Sequence, residues 1–143
     1  MAFSAPILPE MQAIVAAIAV SGLPVVAGDL PDGGGWLGAP GASDFQPYVV
    51  VHALPGDQVD GTAAEPTVDT TRLWQVKSVA PTPEGAARTG DLAIATLAEH
   101  LTITVRSVLR LRPVGGGGVF IDEEPSPPLW VRFDRFSLTT TPD

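Results

Sequence analysis

Residues 82–112 read TPEGAARTGDLAIATLAEHLTITVRSVLRLR, and the apolar period changes inside that stretch. Thr82 is placed to cap a helix whose first turn takes Pro83 and Glu84. Ala86, Gly90, Ile94, Leu97 and Leu101 then recur at helical spacing as one apolar stripe, which predicts a helix lying on a sheet. From Ile103 the period drops to two. Ile103, Val105, Ser107, Leu109 and Leu111 alternate with Thr104, Arg106, Val108, Arg110 and Arg112, as in a half-buried strand.

Working outward, Leu73 to Ala80 reads as a strand with Trp74 and Val76 on one side and Gln75 and Lys77 on the other. Pro47 to Leu54 is apolar on both faces, which predicts a central strand, and Leu23 to Ala27 a short one. Pro9 and Glu10 open a first helix that Gly22 and Pro24 close. Met11, Ile14, Val15, Ile18 and Val20, with alanines between them, leave that helix almost no polar face. Such a helix is buried on more than one side, under another subunit or under a loop folded back over it. Loops are expected over Gly28 to Asp44 and Pro55 to Thr70. Towards the C-terminus, Gly115 to Gly118 predict a hairpin turn, and Val119 to Asp122 and Leu129 to Thr141 the last strands. The order of helix, strands, helix, strands predicts an α+β fold: one domain over residues 1–143, a mixed or antiparallel sheet with two helices packed on it.

The 143 residues include no cysteine, which excludes disulfides, cysteine-based zinc and iron–sulfur sites, and thiol nucleophiles. Net charge is −8, and all of the imbalance lies in residues 1–71. That half holds Glu10, Asp29, Asp32, Asp44, Asp57, Asp60, Glu65 and Asp69 and no basic residue, whereas the second half sums to zero. An acidic surface argues against sequence-specific binding of nucleic acid. It suits solubility, and equally a conduit through which DNA slides without sticking. The apolar run Ala13 to Val20 has no basic residue before it and ends too early for a membrane span, so neither a signal peptide nor a membrane segment is expected.

Few motifs carry chemistry. Gly33-Gly34-Gly35-Trp36-Leu37-Gly38 fits G-x-G-x-x-G, but Ala39, Pro40 and Gly41 follow where a dinucleotide site needs a helix to open. His52 lies among valines and His100 closes a helix, positions that suit structural histidines. Asp57, Asp60 and Asp69 lack the spacing of a calcium loop, and Asp122-Glu123-Glu124 reads as a solvated turn. No catalytic, cofactor or metal site is expected. Arg106, Arg110 and Arg112 are the sharper feature, three guanidinium groups expected on one strand face. Such a row needs carboxylates from this chain or a neighbour, or phosphates. Trp36, on the glycine-rich loop, is a second candidate contact, and Met11, Ile14 and Ile18 form the helix face expected at a subunit boundary.

Tyr48-Val49-Val50-Val51-His52-Ala53-Leu54-Pro55-Gly56 and Asp60-Gly61-Thr62 carry a family resemblance. So do Arg72-Leu73-Trp74-Gln75-Val76-Lys77-Ser78-Val79, Thr82-Pro83-Glu84-Gly85-Ala86 and the ending Asp134-Arg135-Phe136-Ser137-Leu138-Thr139-Thr140-Thr141-Pro142. Over most of its length the chain resembles the tail terminator (tail completion) proteins of long-tailed siphophages, especially those infecting actinobacteria. Its second helix departs from the pattern: Gly85, Ala86, Ala87 and Gly90 stand where relatives carry more charge and bulk. The resemblance implies a structural virion protein without enzymatic turnover. It would assemble in the host cytoplasm as a homo-hexameric ring at the head–tail junction. There it would end polymerisation of the tail tube protein and present a surface to the head completion (stopper) protein of the neck, while genomic DNA passes through. Another neck or head–tail connector component is the alternative within that class, and a small hydrolase the alternative outside it.

Overall fold

The computed structural model describes residues 7–54, 69–104 and 106–143. The expected loop over Pro55 to Thr70, Asp57 and Asp60, and Val105 in the alternating strand fall wholly or largely outside them. Helix α1 spans Ile7–Ala19 and α2 spans Pro83–His100. The strands are β1 (Val25–Ala27), β2 (Tyr48–Ala53), β3 (Thr70–Ala80), β4 (Arg106–Asp122) and β5 (Leu129–Pro142), in the sheet order β1-β2-β3-β5-β4. β1 runs parallel to β2, and every other neighbouring pair is antiparallel. The fold is therefore α+β, with one open mixed sheet and two helices.

Both helices cover the same sheet face. Ile14, Ala17 and Ile18 of α1 and Ala93 and Leu97 of α2 bury against Val49, Val51, Trp74, Val76, Phe136 and Leu138. The Thr82 hydroxyl accepts from the Gly85 N–H at 3.0 Å and caps α2 as its sequence predicts. Gly90 matters by its lack of a side chain: a Cβ there would come within 2.6 Å of the Arg132 side chain. Arg132 crosses the helix at that point, donating to the Ala87 carbonyl at 2.8 Å and to Asp91 Oδ1 at 2.7 Å, with Asp134 beside it at 3.0 Å. The small residues of α2 thus make room for a sheet arginine.

On the opposite face, Tyr48, Val50, Val79, Leu129 and Val131 form a second apolar cluster, and Trp36 and Phe45 pack on it. The connection between the parallel strands β1 and β2 supplies that cover, with a 3-10 turn at Asp32–Gly35 and a bridge between Trp36 and Phe45. The glycine-rich stretch is thus a packed lid over part of the sheet. It opens no helix: Gly33 and Gly34 take left-handed backbone angles.

The largest departure from expectation is β4. The glycines at 115–118 make no hairpin turn; they lie inside a 17-residue strand, and the chain reverses after Asp122 instead. β5 is a continuous partner for β4, so the glycines are absorbed as register shifts at Pro113/Gly115 and Gly116/Val119. Gly116 has φ +98, and a Cβ there would sit 2.2 Å from the Phe133 carbonyl oxygen, a place only glycine can fill.

Candidate functional site

β4 forms one edge of the sheet, and its side chains are divided by a bulge. Arg106 and Val108 face Pro142 and Thr140, and after a register shift Arg110, Leu111 and Arg112 face Thr139, Leu138 and Ser137. Leu138 and Thr140 point into the helix-covered core, so Arg106, Val108 and Leu111 share that face. Arg110 and Arg112 therefore lie on the other face. The expectation of three arginines on one face is corrected: the extra residue at Leu109 breaks the alternation and leaves Leu109 itself 55% exposed.

Arg106 is buried in a polar cluster at one end of the core. Its Nε donates to Thr140 Oγ1 at 2.8 Å and its Nη2 to the Thr140 carbonyl at 3.2 Å. In the same cluster Arg72 Nη1 donates to Glu10 Oε2 at 2.9 Å, and Thr140 Oγ1 lies 3.4 Å from Glu10 Oε1. Burial pushes the Glu10 carboxyl above the usual carboxylate range, and Arg72, Trp74 and Thr140 pull it part of the way back. A charged cluster enclosed in this way is structural: it ties α1 to β3, and Thr140 links it to β4 and β5.

Arg110 and Arg112 are exposed, and Arg135 of β5 joins them on the open face. Arg135 Nε donates to Gln75 Oε1 at 3.0 Å, and Thr71 and Thr139 hydroxyls pair at 2.8 Å nearby. No carboxylate among the described residues pairs with these three arginines. The same strand carries exposed apolar side chains: Leu109, Val114, Phe120 (stacked on Phe133 at 5.6 Å) and Ile121. The other end of the molecule is acidic. Asp29 and Asp44 are exposed on the lid, and Asp122, Glu123 and Glu124 stand where β4 ends. A cleft there is floored by Val79, Leu129 and Val131 and ringed by Tyr48, Lys77, Asp122 and Glu124. Burial and the Asp122 charge push the Tyr48 phenol up, so it stays a neutral hydroxyl.

The remaining candidates are placed as follows. Ile14 and Ile18 are fully buried in this chain's own core, and Met11 packs half-buried beside them. The sheet therefore accounts for that apolar face, while Gln12, Ala16 and Ala19 look outward. Trp36 is half-buried and meets Phe45 edge-on at 5.0 Å, a local contact. His52 lies on the open face of β2 and His100 at the exposed end of α2. The described residues contain no group of three potential metal ligands and no helix long and apolar enough to cross a membrane. The exposed residues that sequence reading missed are Leu109, Val114, Phe120, Ile121 and Arg135. The alternation in β5 would have placed Arg135, whereas the β4 residues needed the bulges.

Fold and surface together define an α+β domain whose distinguishing feature is a long sheet edge, unpaired among the described residues, with exposed apolar side chains and arginines. No protein-family model matches the chain, and no curated protein matches it.

Proposed function

We propose that this protein is a structural assembly subunit of the siphophage tail-terminator type. It closes as a homo-hexameric ring on the head-proximal end of the tail tube, stops the tube protein from polymerising, and offers its outer surface to the head completion protein of the neck. The observation that supports this reading is the β4 edge, 17 residues long, with exposed Leu109, Phe120 and Ile121 and with Arg110 and Arg112 paired to no carboxylate among the described residues. A long exposed apolar edge strand is a liability unless another chain covers it. The lid that follows β1 carries the exposed acids Asp29 and Asp44, opposite in charge to Arg110 and Arg112 of β4. A contact between those two different surfaces is head-to-tail, and head-to-tail contacts close into a ring when the rotation between neighbours closes.

The test is native mass with and without purified tail tubes. A ring has six times 14.8 kDa, about 89 kDa, and capped tubes should stop growing. Replacing Arg110 and Arg112 by Glu should abolish capping, whereas His52→Ala and His100→Ala should leave it intact. Tubes that elongate normally in the presence of the protein would refute the reading.

A further inference from the structure

The C-terminal part of edge strand β4, with Glu124 in the turn just beyond it, is self-complementary about Gly117. Counting outward from Gly117, Val114 and Phe120 stand three residues to either side, Pro113 and Ile121 four, Arg112 and Asp122 five, and Arg110 and Glu124 seven. Pro113 and Ile121 match an apolar residue with an apolar one, and both arginines are matched by carboxylates. The faces agree as well. Arg112 and Asp122 pair with Ser137 and Leu129 of β5 and so lie on the open face, while Pro113 and Ile121 pair with Phe136 and Trp130 on the helix face. At six residues from the centre Leu111 opposes Glu123, but Leu111 is turned into its own core.

We infer that two copies of this chain associate through antiparallel, two-fold pairing of their β4 edges, centred on Gly117. In an antiparallel pair, residues equidistant from the axis face each other on the same side of the sheet. The two-fold axis then sets Arg110 and Arg112 of each copy against Glu124 and Asp122 of the other, so the two ends of the interface are identical. Pro113 meets Ile121 twice, once on each side of the axis. The central glycines carry no side chain, so the two backbones meet at the axis without obstruction. Pro113 lacks an N–H and three register shifts interrupt the strand, so side-chain pairs hold the contact and not an unbroken hydrogen-bond ladder. The occupant is a second copy because the match is between the strand and its own reverse. A different partner would have no reason to complement both ends of one strand. This inference does not depend on the ring proposed above, whose contacts are head-to-tail.

The chain has no cysteine, so an Arg112→Cys/Asp122→Cys variant carries only the two thiols introduced. Within one chain those thiols are about 30 Å apart along the strand, too far for a short bis-maleimide to bridge. Two-fold pairing gives one product, a covalent dimer of twice 14.8 kDa and nothing larger. A ladder of higher species would show head-to-tail pairing and overturn the two-fold arrangement. Monomer alone, in cross-linking and in sedimentation of the native chain up to the highest concentration reached, would overturn the contact itself. Sedimentation of the unmodified chain gives an independent reading. Arg110→Glu/Arg112→Glu should raise the dimer dissociation constant about tenfold or more, and adding Asp122→Arg/Glu124→Arg to the same chain should restore it. If the fourfold variant stays as weak as the double one, the pairing register is wrong.

Discussion

Replacing Arg72 by Met tests whether the buried cluster holds α1 to the sheet. Glu10 and Arg72 are 1% and 4% exposed, and their charged atoms lie 2.9 Å apart. At that distance their attraction is about 6 kcal/mol at an effective dielectric of about 20. Desolvating both ions cancels much of it, so the intact pair contributes little net stability. Removing one partner is different, because the carboxylate stays buried without its cation; the expected cost at pH 7 is about 3–5 kcal/mol. With a urea slope of about 2 kcal/mol per molar, the unfolding midpoint should fall by about 2 M. The pH dependence supplies a sign. Burial already raises the Glu10 pKa in the folded chain. A carboxyl that holds its proton more tightly folded than unfolded loses stability for the fold as pH rises from its ordinary value through its raised one. Without Arg72 that raised value climbs further. The difference between variant and native chain should therefore shrink when the measurement moves from pH 7 to pH 5. Urea titrations followed by fluorescence of the adjacent, fully buried Trp74 read both quantities. The double replacement Glu10→Leu/Arg72→Met should recover most of the loss, since two apolar side chains of similar volume need no partner. A cost below about 1 kcal/mol, or a difference that grows on acidification, would refute the account of the cluster.

Three further outcomes follow from single contacts. Gly116→Ala places a Cβ against the Phe133 carbonyl and should cost about 2 kcal/mol or more in thermal unfolding, since the backbone of β5 must move. Thr82→Ala removes the hydroxyl that caps α2 and should lower stability by about 1 kcal/mol by the same measurement, with Thr82→Ser restoring it. Trp36→Ala strips the lid of its edge-on contact with Phe45; the expected loss is about 2 kcal/mol, with hydrogen exchange at Tyr48 and Val50 accelerated.

Local signals in the sequence found the elements whose forces are local. The Thr82 cap, the 3.6-residue stripe of α2 and the alternation of Trp74 and Val76 against Gln75 and Lys77 each appear in the structure as read. The failures occur where a distant partner decides. Leu109 is an ordinary member of an alternating run, and only pairing with β5 shows that an extra residue is accommodated there. Gly115 to Gly118 satisfy the chemistry of a turn and of a bulged strand equally well, and the continuous β5 beside them selects the second. Glu10 suits the first turn of a helix by its charge, but its partner Arg72 is 62 positions away. Buried arginines do need partners, as the charge argument required. For Arg106 these include a hydroxyl and a carbonyl of Thr140 within the chain, while Arg110 and Arg112 point outward.

The bulge at Leu109 therefore has a consequence beyond register. Without it Arg110 and Arg112 would both turn inward with Arg106 and Val108, and the open face would lose two charges from its basic patch. With it, one strand displays Arg110 and Arg112 near its start and Asp122 near its end. Both proposed associations draw on that strand, and they are mutually exclusive: a copy whose β4 edge is paired two-fold cannot offer the same edge to a neighbour in a ring. If both hold, the two-fold dimer is a closed form that keeps a sticky edge covered until a tube end, by binding the ring and not the dimer, pulls the equilibrium across. Free subunit would then rise only as about the square root of total protein once most of it is dimeric, so capping gains less from added protein than it would without the dimer. Tube-capping rates measured against protein concentration would show that shortfall, and cross-linking the Arg112→Cys/Asp122→Cys dimer should abolish the capping that the same variant shows before cross-linking.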